Sequence, residues 1–415
     1  MKNKKDLGIY IHIPFCKQKC IYCDFLSGRA DDSTKESYVK ALLNEIKNIA
    51  NIYKATIDDY KVRTVFFGGG TPSVINADYI KEIMECLYNT FDVSKNAEIT
   101  IECNPGTLDK VKADTYKSCG INRISFGLQS TDNNELKMLG RIHTFEKFKE
   151  SLSIARQAGF DNINVDIMSA LPGQTYASYK RTLENVIACD VEHISAYSLI
   201  VEENTPLYDK LDTDYQPLPD EDTEREMYYC TEQLLGNAGF NHYEISNYAK
   251  PNYECKHNLS YWERTDYLGF GIGAASLFEE IRHTNISDID KYISLNKCEL
   301  VFSQDSYNDL NKSDISNFDV KKCSKAYYKR ELWEEESELS VSEQMEEFMF
   351  LGLRKLKGIE KSEFKLCFGV DIYEVYGEVI EQNVNKGLLT DKGDRICLTD
   401  RGIDISNTVM ADFMI

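Results

Sequence analysis

The stretch YIHIPFCKQKCIYCDF, running from Tyr10 to Phe25, closes a short apolar run with Cys16, Cys20 and Cys23 inside eight residues. Cysteine thiolates are soft ligands that hold iron–sulfur clusters, and four of them saturate a four-iron cluster. Three thiolates spaced C-x3-C-x2-C therefore leave one iron open, which is where chemistry can happen. A structural zinc site usually pairs two C-x2-4-C knuckles, or a cysteine pair with a histidine pair, and no second knuckle follows here.

Outward from this stretch, residues 9 to about 200 alternate short β-branched runs with longer helical patterns, the signature of repeated βα units around a parallel sheet. Strands are expected near 9–14, 62–68, 97–103, 122–128, 162–168 and 192–200. Tyr38, Leu42, Leu43, Ile46 and Ile49 fall on one face of an intervening helix. Six such units are two short of a closed eight-unit barrel, so the fold class is α/β with a partial (βα)6 barrel.

Ligands of parallel βα folds sit at the carboxyl ends of the strands. The first expected strand runs into the three cysteines, and the second into Gly68-Gly69-Gly70-Thr71-Pro72, where missing side chains let a ligand lie against backbone N–H groups. The third ends in Glu102, the fourth in Gln129 with Arg141 and His143 following, the fifth in Asp166 and Leu171-Pro-Gly-Gln-Thr175, the sixth in Ala196 and Tyr197. Each has an ordinary alternative: a tight turn, a rim salt bridge, a solvated charge, a loop cap. The coincidence at consecutive strand ends is what points to one site.

The three-cysteine motif resembles that of the radical S-adenosylmethionine (radical SAM) superfamily. The longer string from Tyr10 to Phe25 is similar to the branch that holds oxygen-independent coproporphyrinogen III oxidases and heme chaperones of the HemW type. The resemblance implies that the open iron chelates the methionine end of SAM, and that an electron from the cluster cleaves the sulfonium to a 5′-deoxyadenosyl radical. It also implies roles for individual residues. Tyr10, Gly69, Gly70, Thr71, Glu102, Gln129, Arg141 and Asp166 would form the SAM pocket, with Ala196 as an adenine neighbour and Glu102 at the ribose. Oxidases resembling this chain carry a further cysteine two positions after the third cluster ligand; here that position is Phe25, and a phenyl ring cannot serve redox or ligand chemistry. The expected function is therefore a HemW-type heme chaperone with a 4Fe–4S cluster, SAM and heme as cofactors and respiratory apoproteins as heme acceptors. Coproporphyrinogen oxidase is the alternative, and peripheral membrane contact and a homodimer stay open.

Beyond the repeats, a helical pattern from about 220 to 238 ends at Gly239, and His242 to Tyr248 reads as a strand. The segment His257-Asn-Leu-Ser-Tyr261-Trp262 follows. Imidazole is a common axial ligand of heme iron, and Tyr261 and Trp262 offer flat apolar surface. Taken alone, a His beside Tyr and Trp is more often a hydrogen-bonded structural residue; H-N-x-x-Y-W is, however, the motif associated with heme in the HemW branch, which makes His257 the candidate ligand, with His12, His143 and His242 as alternatives. A Gly-rich run, Leu268 to Ser276, precedes a polar stretch of Asp, Asn, Ser and Lys over about 303–337, which reads as a linker or surface insertion. From about 339, three helices and a small hairpin suggest a winged-helix-like module. Its nine Lys/Arg against fourteen Asp/Glu over residues 340–415 speak against DNA binding. The expected division is 1–240 barrel, 241–302 accessory region, 303–338 linker and 339–415 C-terminal module.

Composition sets the outer limits. A net charge of −20 opposes binding to phosphate backbones, so nucleic acid is not an expected partner. Thirteen cysteines without a paired framework fit reduced thiols and a cytoplasmic location. Asp6 and the short run from Ile9 to Phe15 supply no signal peptide, and no apolar run approaches the ~18 residues of a membrane span.

Overall fold

The computed structural model describes residues 4–211, 213, 215–302 and 322–414. Six parallel strands carry the fold: β1 (Lys5–Ile13), β2 (Tyr60–Gly69), β3 (Val93–Cys103), β4 (Arg123–Gln129), β5 (Ile163–Ser169) and β6 (His193–Ser198). They pair in chain order, β1 to β6, with parallel register throughout. These are the six expected units, and the helices between them cover one face of the sheet. On β1 the alternation is plain: Leu7, Ile9, Ile11 and Ile13 are buried against that helical layer, while Gly8, Tyr10 and His12 turn to the inner face. Complete burial of one such isoleucine contributes about 1.5–3 kcal/mol.

The sheet continues past the barrel strands on both sides. After β6 come β7 (Asn241–Glu244), β8 (Asn247–Ala249), β9 (Tyr267–Phe270), β10 (Ala275–Phe278), β11 (Ile281–Asn285), the two-residue strands β12 (Val301–Phe302) and β13 (Lys322–Cys323), and β14 (Trp333–Glu338). The full order is β14-β11-β10-β9-β1-β2-β3-β4-β5-β6-β8-β7, twelve strands in one sheet, with β12 and β13 paired separately. Strands β7 to β11, within residues 241–285, thus extend the barrel's own sheet.

Two sequence expectations need correction here. His242 to Tyr248 forms the β7–β8 hairpin, turning at Ile245 and Ser246, because the Glu244 carboxylate accepts the Ser246 N–H and reverses the chain. The linker expected over 303–338 is ordered at its end: a helix, Lys325–Leu332, buries Tyr328 and Leu332, and β14 completes the sheet with Trp333 stacked on His283 at 3.7 Å. Its run of glutamates reads as solvated chain, yet such charges suit an edge strand that must not pair with a second molecule. Residues 303–321 of that expectation lie outside the described residues.

The C-terminal part contains the helices Val341–Gly352, Lys361–Phe368 and Ile372–Asn385, then β16 (Leu389–Lys392) and β17 (Arg395–Leu398), with β15 (Ile359–Glu360) as a third strand. It has its own apolar core around Phe364, Tyr376, Ile380 and Phe413. It docks on the rest through buried charge: Arg264 and Arg282 both pair with Glu347, and the Arg354 guanidinium lies 4.3 Å from the Trp262 ring centre.

Candidate functional site

A cavity of about 530 Å³ opens at the carboxyl ends of the parallel strands. Cys16, Cys20 and Cys23 line it, in the loop that leaves β1. Two anchors hold this loop. The Cys16 N–H donates to the Gly28 carbonyl and the Gly28 N–H to the Pro14 carbonyl across its base, and His12 Nε2 lies 2.9 Å from the Leu26 carbonyl. His12 is consequently a loop fastener, with Tyr10 on its other nitrogen at 3.1 Å.

The glycine turn after β2 sits against the loop closely enough to dictate its own sequence. A Cβ on Gly70 would lie 2.9 Å from the Phe15 carbonyl and 3.0 Å from Cys16 Sγ. Gly69 has φ +113°, a conformation that side chains oppose, and a Cβ there would meet the His12 ring at 2.7 Å. Thr71 Oγ1 is 3.6 Å from Cys16 Sγ and accepts from Asn104 Nδ2 at 2.6 Å.

Arg141 reaches the cysteine loop from the other side. Its guanidinium donates to Cys20 Sγ at 3.4 Å, to Asn104 Oδ1 at 2.7 Å and to the Gly127 carbonyl, while its Nε has no partner in the described chain. Glu102 accepts the Gly69 N–H, and burial together with the charge of Asp166 raises its pKa to about 8. Asp166 is itself raised by burial, against hydrogen bonds from Asn164 at 2.7 Å and Ser125 at 3.3 Å. Gln129, in the left-handed region at φ +72°, turns its amide into the cavity and accepts from Tyr197 at 3.1 Å.

Ten of the residues expected from sequence thus line one cavity: the three cysteines, Gly69, Gly70, Thr71, Glu102, Gln129, Arg141 and Asp166. Tyr10 lies beneath them, bonded to His12 and stacked on Phe66. Ala196 is not among the lining residues: strand alternation turns its side chain to the apolar core, and Ser195 and Tyr197 on either side of it line the cavity. Asn104, which bridges Thr71 and Arg141, was missed, although a polar residue before Pro105 at a strand end was a readable signal.

The segment expected to hold heme is packed into the barrel. Residues Lys256–Trp262 form a short helix seated on the inner face of the barrel. Glu98 of β3 accepts the N–H groups of Lys256 at 3.2 Å and His257 at 3.1 Å. His257 is 1% exposed and both its ring nitrogens are engaged, Nδ1 with Thr64 at 2.8 Å and Nε2 with Tyr261 at 3.0 Å. Burial, assisted by the Arg123 charge, lowers its pKa to about 3 and keeps the ring neutral. Tyr261 packs edge-on against Tyr267, and Trp262 lies under Arg354. In the seated helix these three side chains serve packing. The alternatives are bound as well: His143 meets the Leu128 carbonyl, and His242 meets Ile245 and Glu232.

The chain matches the Radical SAM superfamily over residues 10–186 and the HemN C-terminal domain over residues 339–405. A Lactococcus lactis protein named heme chaperone HemW is 32% identical over 412 residues, covering 99% of this chain and 98% of its own length. The chain belongs to the HemW family. A Bacillus subtilis HemW is 33% identical, covering 98% of each chain. The fold matches the solved structure of coproporphyrinogen III oxidase HemN from Escherichia coli with a TM-score of 0.80, over 99% of this chain and 91% of that one, at 20% identity. Membership of the radical SAM superfamily implies a 4Fe–4S cluster and SAM. The cavity suits both: three soft thiols share it, the glycine turn presents backbone where any Cβ would collide, and Arg141 supplies positive charge beside the Cys20 sulfur.

Proposed function

We propose that this chain is a heme chaperone that holds a 4Fe–4S cluster on Cys16, Cys20 and Cys23, binds SAM in the same cavity, and carries heme to respiratory apoproteins. The observation that carries this reading is the convergence of the three thiols with Gly69, Glu102, Gln129, Arg141 and Asp166 on one cavity, in a HemW-family chain. When bound, the cluster supplies an electron source and an open iron for the amino-acid end of SAM. The protein's own groups do the rest. Arg141 offsets the charge of Cys20; Gly69 and Gly70 offer bare backbone to an amino group and carboxylate; Glu102 and Asp166 accept hydrogen bonds from hydroxyls.

Heme is assigned to His257, Tyr261 and Trp262, in a state where their helix has left the barrel wall. On this reading heme binding requires the helix to leave the barrel wall, since both ring nitrogens of His257 are engaged while it is seated. Coproporphyrinogen oxidation is disfavoured because Phe25, 63% exposed at the cavity mouth, stands where oxidases resembling this chain carry a cysteine. No helix among the described residues is long and apolar enough to cross a membrane, and the described cysteines are free thiols, as a cytoplasmic protein requires. The decisive experiment reconstitutes the cluster anaerobically and assays heme binding and coproporphyrinogen conversion side by side. Heme binding without conversion is expected; SAM-dependent formation of protoporphyrinogen would reverse the reading.

A further inference from the structure

The helix Asn133–Met138 lines no part of the cavity, yet the residues that follow it hold the cysteine loop in place. The Leu139 carbonyl accepts the Ile21 N–H at 3.2 Å, and the Gly140 carbonyl accepts Gln18 Nε2 at 3.2 Å. Gly140 is in the left-handed region at φ +74°, and a Cβ there would stand 3.2 Å from the Ile21 side chain. Arg141 comes next, but its guanidinium is fixed separately, by Asn104 and the Gly127 carbonyl. The contact between Arg141 and Cys20 therefore depends on two supports: one holds the guanidinium, and the other holds the loop through Leu139 and Gly140. A helix of six residues has little stability of its own, so the second support needs an anchor elsewhere.

Glu135 is that anchor. It is 4% exposed, and its carboxylate accepts from Ser130 Oγ at 2.5 Å, Ser178 Oγ at 2.7 Å and Gln174 Nε2 at 3.1 Å. Ser130 directly follows β4. Gln174 closes the turn after β5, where its Oε1 accepts the Leu171 N–H at 3.2 Å. Ser178 belongs to the capping box of the next helix, Tyr176–Ile187. A carboxylate is expensive to bury unless donors surround it, and here the donors come from the ends of the two strands that carry Gln129 and Asp166. The short helix is thereby tied to the strand ends that build the cavity. Resting on the cluster reading above, we propose that Glu135 is a positioning residue for the cluster: it fixes the short helix against the ends of β4 and β5, and so sets the distance between the Cys20 sulfur and the Arg141 guanidinium. Hydrogen bonds and positive charge at a ligand sulfur favour the reduced, more negative cluster, so widening that contact makes reduction harder.

The test compares Glu135→Ala and Glu135→Gln with the unaltered protein by two measurements. In the iron-free protein, hydrogen exchange at the Ile21 amide should quicken by about tenfold in Glu135→Ala, as loss of a hydrogen bond to a charged group allows. In the reconstituted protein, an anaerobic redox titration followed by electron paramagnetic resonance should show the cluster harder to reduce, the ratio of reduced to oxidised cluster at a fixed potential falling by about tenfold. Glu135→Gln keeps the volume and one acceptor, and should lie between Glu135→Ala and the parent in both. Ser130→Ala removes one donor and serves where Glu135→Ala does not fold, with both shifts smaller and in the same direction. A lower melting temperature with unchanged Ile21 exchange, or an unchanged or raised potential, overturns the proposal. Failure of the unaltered protein to take up iron overturns the cluster reading itself, and the exchange measurement, which needs no iron, tells that failure from this one.

Discussion

Thr64 Oγ1 lies 2.8 Å from His257 Nδ1, with both side chains buried between β2 and the helix that carries the histidine. On the proposed reading of heme binding, this contact is what the helix must break to leave the barrel wall. Thr64→Val keeps the shape and removes the hydroxyl, leaving a buried ring nitrogen unpaired. The seated state should lose about 1 kcal/mol and heme should associate about fivefold faster in stopped-flow Soret measurements. A rate equal to or below the parent's would separate heme loading from release of this helix.

His257→Ala tests the ligand itself. Heme binding should weaken and the Soret band shift, while the cluster spectrum stays as in the parent. An unaltered heme titration would remove His257 from the site.

Replacing Cys16, Cys20 and Cys23 together with alanine should abolish the cluster absorbance after reconstitution. Four irons per chain retained by the triple variant would show that the thiols facing the cavity are not the cluster's ligands.

Gly70→Ala places a methyl 2.9 Å from the Phe15 carbonyl, a backbone atom with little freedom to yield. Overpacking of this kind costs about 1–3 kcal/mol, and here it falls on the loop that positions Cys16. Far-UV circular dichroism should be retained while iron content after reconstitution drops. Full iron content would mean that the loop adapts at no cost to the cluster.

Glu45 is wholly buried and accepts from the Gly271 N–H at 2.8 Å, from Asn285 at 2.6 Å and from the Tyr292 hydroxyl, joining the first helix to the sheet beyond β1. Burial raises its pKa to about 7, against those three hydrogen bonds. The folded state therefore holds its proton at a pH where the unfolded chain has released it, and this group's contribution to stability falls as pH rises from about 4.5 to 7, by about 3 kcal/mol over that range. In Glu45→Gln, chemical denaturation at pH 5 and pH 8 should show this component gone. A pH profile superimposable on the parent's would mean that Glu45 does not titrate with folding.

The barrel was legible because its information is local. Strands β1 to β6 sit within a few residues of their expected bounds, since each is a β-branched run bounded by turn residues, and the strand-end rule then located Glu102, Gln129 and Asp166. What was not legible shares a physical origin in long-range contact. Ala196 and Ser195 are neighbours in sequence, and only the register against β5 decides which faces the cavity. The seat of His257 depends on Thr64, 193 positions away, and on Glu98, 159 away, so composition around H-N-x-x-Y-W carries no sign of it. The order of residues 333–338 rests likewise on pairing with β11 and not on their own polarity.

The helix Lys256–Trp262 is too short to act through only one of its residues at a time. Asn258 borders the SAM cavity while its neighbour His257 is withheld behind Thr64 and Tyr261. If SAM in the cavity meets Asn258 only while the helix is seated, and iron reaches His257 only once it is not, the two ligands are antagonists. Whatever factor SAM takes from the affinity for heme, heme must take from the affinity for SAM, because linkage is reciprocal. Departure of SAM would then be the event that admits cargo, and the chaperone would be timed by its own cofactor.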